Sequence, residues 1–198
     1  MALENGFSME DIRIFEAAIA SRSLEILKWL KRNKCPIDKG TIYPLSLENC
    51  SIETLEWLEN EGIEIHPTSV FRGAARNGCL DKMKWMLKKE KYSIKNPWNF
   101  PAAAEHGSLE NLKWLLKNGY SIDDSYILAA AASQGHFEVM KWLLKNKCPI
   151  NNSEILVVAA EFGSIEQMKW LFDNKCPIEN NARIFEKAAE KGNVELME

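Results

Sequence analysis

Histidine is the side chain best suited to proton transfer near neutral pH, and this chain has three: His66, His106 and His136. None of them stands with a Ser or Cys nucleophile and a carboxylate in an arrangement that recurs along the chain. The sequence also lacks a Gly-rich phosphate loop, an H-E-x-x-H pattern and a calcium loop. We therefore expect a protein that is not an enzyme, with no catalytic residues, no cofactor and no metal site.

The five cysteines give the same indication. Cys35, Cys148 and Cys176 lie in one repeated phrase, Cys-Pro-Ile, and no pair has the C-x-x-C spacing of a zinc site. Cys50 and Cys79 occupy other positions of the pattern. Equivalent positions in stacked repeats lie on the order of 10 Å apart, too far for a disulfide. The sequence predicts small, buried and unreactive thiols.

Acidic residues and tryptophans recur together. Six tryptophans are separated by 28 or 29 residues, and an acidic residue precedes each of them by four positions. The tryptophans are Trp29, Trp57, Trp85, Trp114, Trp142 and Trp170. A fixed period of this length is typical of a solenoid built from stacked copies of one unit. We expect the acids to stabilise helix N-termini rather than to form a paired-carboxylate site, and the tryptophans to form a buried core between repeats.

The sequence predicts two helices in each unit. Apolar residues around each Trp fall on one face at helical period, and a Ser precedes four of the tryptophans by six residues as a predicted N-cap. A shorter helix with an Ala-Ala pair, as at Ala103-Ala104, comes before it, and a Gly separates the two. Asx residues precede several of these shorter helices, and Pro after the Trp helix is expected to stop it. Irregularities are expected at residues 41 to 49, where Pro44 interrupts the first helix, around Lys91, and at Pro101, where the helix is expected to begin late.

The string Ala-Ala-x-x-Gly-x-x-Glu-x-Met-Lys-Trp-Leu-Leu-Lys-Asn resembles the ankyrin repeat, and the resemblance covers essentially the whole chain. Lys-Trp-Leu followed by Asn-Lys-Cys-Pro-Ile is similar to ankyrin repeats abundant in giant DNA viruses of amoebae. The period of 28 is shorter than the usual 33, and the Thr-Pro-Leu-His phrase is missing. The resemblance implies an all-α, ankyrin-like helix-turn-helix solenoid of about six and a half repeats, with short links in place of β-hairpin fingers.

The predicted solenoid is a single domain over residues 1–198. Its repeats are 11–38, 39–66, 67–95, 96–123, 124–151, 152–179 and a truncated 180–198. The last unit begins a Trp helix that would expose Val194, Leu196 and Met197. This leads us to expect that the natural protein continues with further repeats.

Positions that vary between repeats predict the binding residues. In the ankyrin family the concave surface is lined by the first helices and the turns, so we select the pair after each Ala-Ala position. Trp98, outside the tryptophan period, is added as a candidate anchor. The predicted partner-binding residues are Glu48, Asn49, Arg76, Asn77, Trp98, Glu105, His106, Ser133, Gln134, Glu161 and Phe162.

Composition limits the partners. A net charge of −3 gives little support to nucleic-acid binding, and no apolar run is long enough for a membrane span. The N-terminus does not resemble a secretory signal, so a cytoplasmic location is expected, in a host cell if the protein is viral. We expect a protein-interaction scaffold, as a viral adaptor acting on host proteins. The alternative is a structural, self-associating repeat component of a virus particle or assembly. We expect a monomer, with self-association through the uncapped C-terminal end as the alternative.

Overall fold

A computed structural model of the chain describes residues 11, 13–36, 47–89, 96–162, 164–179 and 181–196. Within these ranges the chain forms twelve α-helices and one 3-10 turn, and no strand. The helices are α1 (Arg13–Ala20), α2 (Leu24–Arg32), α3 (Ile52–Asn60), α4 (Pro67–Arg76), α5 (Leu80–Lys88), α6 (Asn99–His106), α7 (Leu109–Lys117), α8 (Tyr126–Ser133), α9 (Phe137–Lys145), α10 (Glu154–Phe162), α11 (Ile165–Asp173) and α12 (Asn181–Glu190). The 3-10 turn is Val194–Leu196.

The helices alternate between two kinds. We call α1, α4, α6, α8, α10 and α12 the first helices, and α2, α3, α5, α7, α9 and α11 the Trp helices. Between a Trp helix and the next first helix the described links contain no strand, as the short period predicts. The all-α helix-turn-helix fold expected from the sequence is therefore confirmed.

By its contacts the chain divides into two compact units. Unit one comprises Met1–Ala74 and Asp81–Ile94, and unit two comprises Ala75–Leu80 and Lys95–Glu198. The expectation of one continuous domain over residues 1–198, with the repeat boundaries given above, stays a prediction.

In unit two the first helices stack side by side. α6 packs on α8, α8 on α10 and α10 on α12, while α6, α8 and α10 each also pack on the Trp helix that follows them. The Ala pairs predicted to permit close approach lie in these contacts and are at most 2% exposed. They are Ala103, Ala104, Ala131, Ala132, Ala159 and Ala160. Small side chains at these positions bring the helix backbones together because they leave no bulk between them.

The helix starts are set by side-chain caps. The hydroxyls of Ser23, Ser51, Ser108 and Ser164 accept hydrogen bonds at 3.1–3.3 Å from backbone N–H groups three residues later, which confirms the predicted N-caps of four Trp helices. Ahead of the first helices, Asx side chains accept from the N–H two residues on, as Asn96 does from Trp98 at 2.9 Å. The same bond is made by Asp11, Asp124 and Asn152.

Four of the Trp helices, α2, α7, α9 and α11, end in a side-chain cap that the sequence analysis did not predict. The side-chain amide of an Asn donates to the carbonyl of the Trp four residues before it, at 2.7–2.9 Å, in Asn33, Asn118, Asn146 and Asn174. The next residue has positive φ, as in Lys147 and Gly119, and the one after donates back to the helix in a Schellman-type closure. The helices therefore stop before the prolines reach them, and the expectation that Pro36, Pro149 and Pro177 stop them is wrong.

The prediction that the tryptophans form the buried core is also wrong. Trp29 is 45% exposed and the other five are half-buried. In every Trp helix the residue two positions before the Trp and the residue directly after it are buried, as Leu112 and Leu115 are, and all of them are at most 3% exposed. The indoles instead join neighbouring repeats at the surface: Trp85 Nε1 donates to Glu56 Oε1 at 2.9 Å, and Trp170 meets Phe137 edge to face at 5.6 Å.

Pro101 lies in the first turn of α6, where a proline removes an N–H that has no partner in the helix. α6 begins one residue before Phe100, whereas α8 and α10 begin two residues before the equivalent Leu128 and Leu156, so the expected late start is confirmed. Cys35, Cys50, Cys148 and Cys176 are buried, as predicted, but Cys79 is exposed at the start of α5. Burial raises the pKa of the Cys148 thiol to about 12 and that of Cys176 to about 11. The irregularities expected at residues 41–46, which include Pro44, and around Lys91 lie outside the described residues.

Large apolar side chains are exposed around α11 and α12. Phe172, Ile178 and Phe185 are 45–54% exposed and Val194 is 64% exposed. A cavity of about 220 Å³ lies among Met168, Phe172, Ile178, Ile184, Phe185 and Leu196. Exposure of Val194 agrees with the sequence-based expectation, Leu196 is half-buried, and Met197 lies outside the described residues.

Candidate partner-binding surface

Four pairs of predicted binding residues fall at the same place in unit two, where a first helix ends and its turn begins. Because α6, α8 and α10 pack side by side, their ends form a row, and an ion pair joins the end of α4 to that of α6. We call this set the turn-side row: Arg76, Asn77, Glu105, His106, Ser133, Gln134, Glu161 and Phe162. The residue types differ between equivalent positions of successive repeats. This variation is expected of residues that bind a partner and not of residues that pack in the core.

Arg76 and Glu105 carry opposite charges across the first step of the row. Arg76 Nη2 lies 3.3 Å from Glu105 Oε2, and the two side chains are 52% and 37% exposed. An exposed pair of this kind is worth about 1 kcal/mol or less, so a partner could separate it at small cost. Arg76 is thus held in place while still open to solvent.

His106 covers the preceding turn. Its ring lies against Gly78, where φ is +68° and a side chain would collide with the imidazole. His136 does the same at Gly107, and its Nε2–H donates to the Glu105 carbonyl at 3.0 Å. The glycines therefore supply both positive φ and space for the ring of the following repeat. The sequence offered no common signal for this contact, because His106 precedes the glycine of its own turn, Gly107, whereas His136 follows Gly135.

The other end of the turn-side row is polar and then aromatic. Ser133 Oγ donates to the Ala130 carbonyl at 2.8 Å, so its hydroxyl mainly serves its own helix, whereas Gln134 is exposed. Phe162 is 51% exposed, and Lys191 Nζ lies 5.1 Å from its ring centroid. An exposed aromatic ring beside a cation is a candidate anchor for a protein partner.

Glu48 and Asn49 belong to unit one and behave differently from each other. Glu48 is only 7% exposed: its Oε1 accepts from Arg72 Nη2 at 3.0 Å, and its backbone carbonyl accepts from the buried Lys82 Nζ at 3.1 Å. It therefore offers no accessible side chain to a partner and holds its own repeat to the next. Asn49 is exposed.

Trp98 lies at the opposite end of α6 from Glu105 and His106. It is 53% exposed and meets Tyr126 edge to face, with ring centroids 5.5 Å apart. Tyr126 is itself 48% exposed and was missed by the sequence reading, although it follows Trp98 by one period of 28 residues. Trp98 is thus part of an exposed aromatic pair.

The described parts of the chain contain neither a metal-binding cluster nor a membrane-spanning helix. Among those residues no three His, Cys, Asp or Glu side chains are grouped so that they could hold a metal ion. No described helix has both the length and the apolar character needed to cross a membrane.

Residues 100–184 match the family model described as ankyrin repeats, in three copies. A search of solved structures finds similarity to the crystal structure of the human ASB11 ankyrin repeat domain, with a TM-score of 0.58 and 18% identity. The alignment covers 82% of this chain and 84% of that one. Among curated proteins, no sequence matches the chain.

Residues 100–184 therefore match ankyrin repeats, and the fold of the chain is similar to that of an ankyrin repeat domain. Ankyrin repeats generally mediate protein–protein interaction.

Proposed function

We propose that this protein is a non-enzymatic scaffold that binds a partner protein through the turn-side row. The observation that carries the proposal is that four structurally equivalent helix ends in unit two present eight side chains of differing chemistry. Arg76 and Phe162, near the two ends of the row, are its anchors, because Arg and exposed aromatic residues dominate interface energetics. The row offers a cation, a carboxylate, an imidazole and an apolar ring in sequence.

We propose further that the protein is a viral adaptor that acts on host proteins in the host cytoplasm. The phrase Lys-Trp-Leu followed by Asn-Lys-Cys-Pro-Ile supports this, through its similarity to repeats of giant viruses of amoebae. Four buried thiols without a disulfide suit a reducing compartment.

Affinity capture from amoebal lysate tests the turn-side row. The immobilised chain, its Arg76→Ala/Phe162→Ala variant and a Lys113→Ala control are compared by quantitative mass spectrometry. Lys113 is exposed on α7, away from the row. A partner bound through the row is depleted about 10-fold or more by the double variant and is retained by the control. Equal capture by all three proteins rules out the row as the binding surface.

A second candidate function is self-association, as a structural component of an assembly. It is favoured by the exposed apolar side chains Phe172, Ile178, Phe185 and Val194 around α11 and α12. Sedimentation velocity over a 100-fold concentration range tests it, with Phe185→Asp as the disrupting variant. A concentration-independent monomer excludes this candidate and leaves the scaffold proposal standing.

A further inference from the structure

We infer that unit two has a second recognition site, distinct from the turn-side row, which accepts an arginine side chain of a protein segment. The site is a cavity at the link side of the first helices, together with the aromatic pair Trp98 and Tyr126. We call it the link-side pocket. The inference rests on the proposed scaffold function and adds the chemistry of the partner.

The cavity has a volume of about 330 Å³, at the low end of the roughly 300–1,000 Å³ of small-ligand pockets. Phe100, Tyr120 and Ile127 form its apolar part and are at most 9% exposed. Burial raises the pKa of the Tyr120 hydroxyl to about 12, so Tyr120 is neutral at physiological pH. The aliphatic part of an arginine side chain would find an apolar surface here.

Neither ring of the aromatic pair lines this cavity, but both residues directly adjoin lining residues in the chain. Asn96 and Pro97, the two residues before Trp98, line it, as does Ile127, the residue after Tyr126. The two rings stand nearly perpendicular, with an interplanar angle of 86°. Two half-exposed aromatic rings at this angle present both a ring face and a ring edge to solvent, and a guanidinium stacks on the face of Trp or Tyr.

The charge of the pocket selects a cation. Asp123 and Asp124 both line the cavity and both are exposed. Asp124 Oδ1 accepts from the Tyr126 N–H at 2.8 Å and so fixes the start of α8. The Asp123 carboxylate has no ion pair with any residue in the described ranges. A planar guanidinium can stack on a ring and bond a carboxylate at once, which favours arginine over lysine.

The two surfaces lie at opposite ends of the same helices. α6 has 8 residues, so its ends are about 12 Å apart. Trp98 and Tyr126 precede α6 and begin α8, whereas Glu105 and His106 end α6. A variant at one end therefore leaves the other end unchanged, and the two proposals can fail independently.

NMR titration of the full chain tests the inference with a capped hexapeptide, Leu-Arg-Leu-Arg-Leu-Arg. A second peptide in which citrulline replaces each arginine keeps the shape and removes the charge. The indole N–H signal of Trp98 is assigned by its loss in Trp98→Ala. The protein variants are Trp98→Ala and Asp123→Asn, with Asp173→Asn, an exposed acid at the end of α11, as the matched control.

The inference requires that the arginine peptide shifts the Trp98 indole and residues 120–127 saturably, and that the citrulline peptide does not. Trp98→Ala and Asp123→Asn should each weaken binding about 2- to 5-fold, and Asp173→Asn should not. No saturable shift, equal binding of the citrulline peptide, or unchanged affinity in both variants overturns it. If Trp98→Ala fails to fold, Asp123→Asn and the citrulline peptide decide the question. Arg76→Ala/Phe162→Ala should bind the peptide normally, whatever the outcome of the capture experiment.

Discussion

One position of the repeat has opposite environments in two turns of this protein. Glu48 and Glu105 both follow the small-residue position of a first helix. Glu48 is buried and its carboxylate is bonded by Arg72, whereas Glu105 is half-exposed and pairs with Arg76 at the surface. The backbone carbonyls of both residues accept a hydrogen bond from the next repeat. Lys82 donates to the carbonyl of Glu48, and His136 donates to that of Glu105. The backbone contact between repeats is thus constant, and only the role of the side chain changes.

The neighbouring repeat explains the difference. Arg72 comes from the first helix after Glu48, and the equivalent residue after Glu105 is Ala129, which carries no charge. Gly73 beside Arg72 also permits close approach, because a Cβ there would lie 2.9 Å from the Glu48 Cα. A carboxylate in this position is therefore drawn into the core only where the next repeat supplies a cation and removes bulk.

The largest expected effect is at the buried glutamate. Glu48→Ala should lower the free energy of unfolding by about 2–3 kcal/mol, because it leaves Arg72 without its carboxylate partner, while Lys82 keeps its bond to the backbone carbonyl of residue 48. The partial exposure of Arg72 reduces the effect below that of a fully buried pair. Glu105→Ala should lower it by less than about 1 kcal/mol. Urea denaturation of both variants measures this. Equal losses would show that the two environments do not differ energetically.

The thiol of Cys50, in the same turn as Glu48, should make stability fall at alkaline pH. Burial raises the pKa of Cys50 to about 11, against the opposing effect of Lys82 and Arg22. The folded chain keeps this proton between about pH 9 and 11 while the unfolded chain loses it, so stability decreases over this range as pH rises, by about 2 kcal/mol at pH 11. Unfolding measured from pH 8 to 11 should have a smaller slope in Cys50→Ala than in the native sequence. Parallel slopes would contradict the buried, protonated thiol.

At the corresponding turn of unit two, glycine takes the place of Cys50. Gly107→Ala should cost about 1–2 kcal/mol from its φ of +83°, with a further loss from collision with the His136 ring. Gly119→Ala is the matched control, since its φ is +79° and no atom lies within 4 Å of the added Cβ. Thermal melts of both variants separate strain from collision. If the two substitutions cost the same, the His136 contact contributes nothing.

The smallest effect is expected at the surface pair. A double-mutant cycle of Arg76→Ala and Glu105→Ala should give a coupling energy of about 0.2–1 kcal/mol that declines with added salt. A coupling above about 2 kcal/mol, insensitive to salt, would mean that this pair resembles Glu48 and Arg72 after all. The turn-side row would then be structural at its first step.

Much of the local structure could be predicted from the sequence, because it depends on residues close together in the chain. Ser23, Ser51, Ser108 and Ser164 cap helices where the period predicts it, since a cap needs only a hydroxyl and an N–H three residues on. The failures concern contacts with other repeats. The period marks Trp114 and Leu115 equally as apolar, yet Leu115 is buried and the larger Trp114 lies half in solvent.

The candidate sites, too, could be predicted only in part from the sequence. Trp98 could be selected by its departure from the tryptophan period, but its pairing with Tyr126 and the cavity beside it depend on the stacking of α6 on α8.

The sequence by itself determined the repeat, the helix pair, its caps and its glycine turns, since these follow from local hydrogen bonding and backbone conformation. Only the tertiary structure decided which members of the repeat are buried. Burial of a side chain depends on the residue that the next repeat places against it, as Arg72 does for Glu48 and Ala129 does not for Glu105.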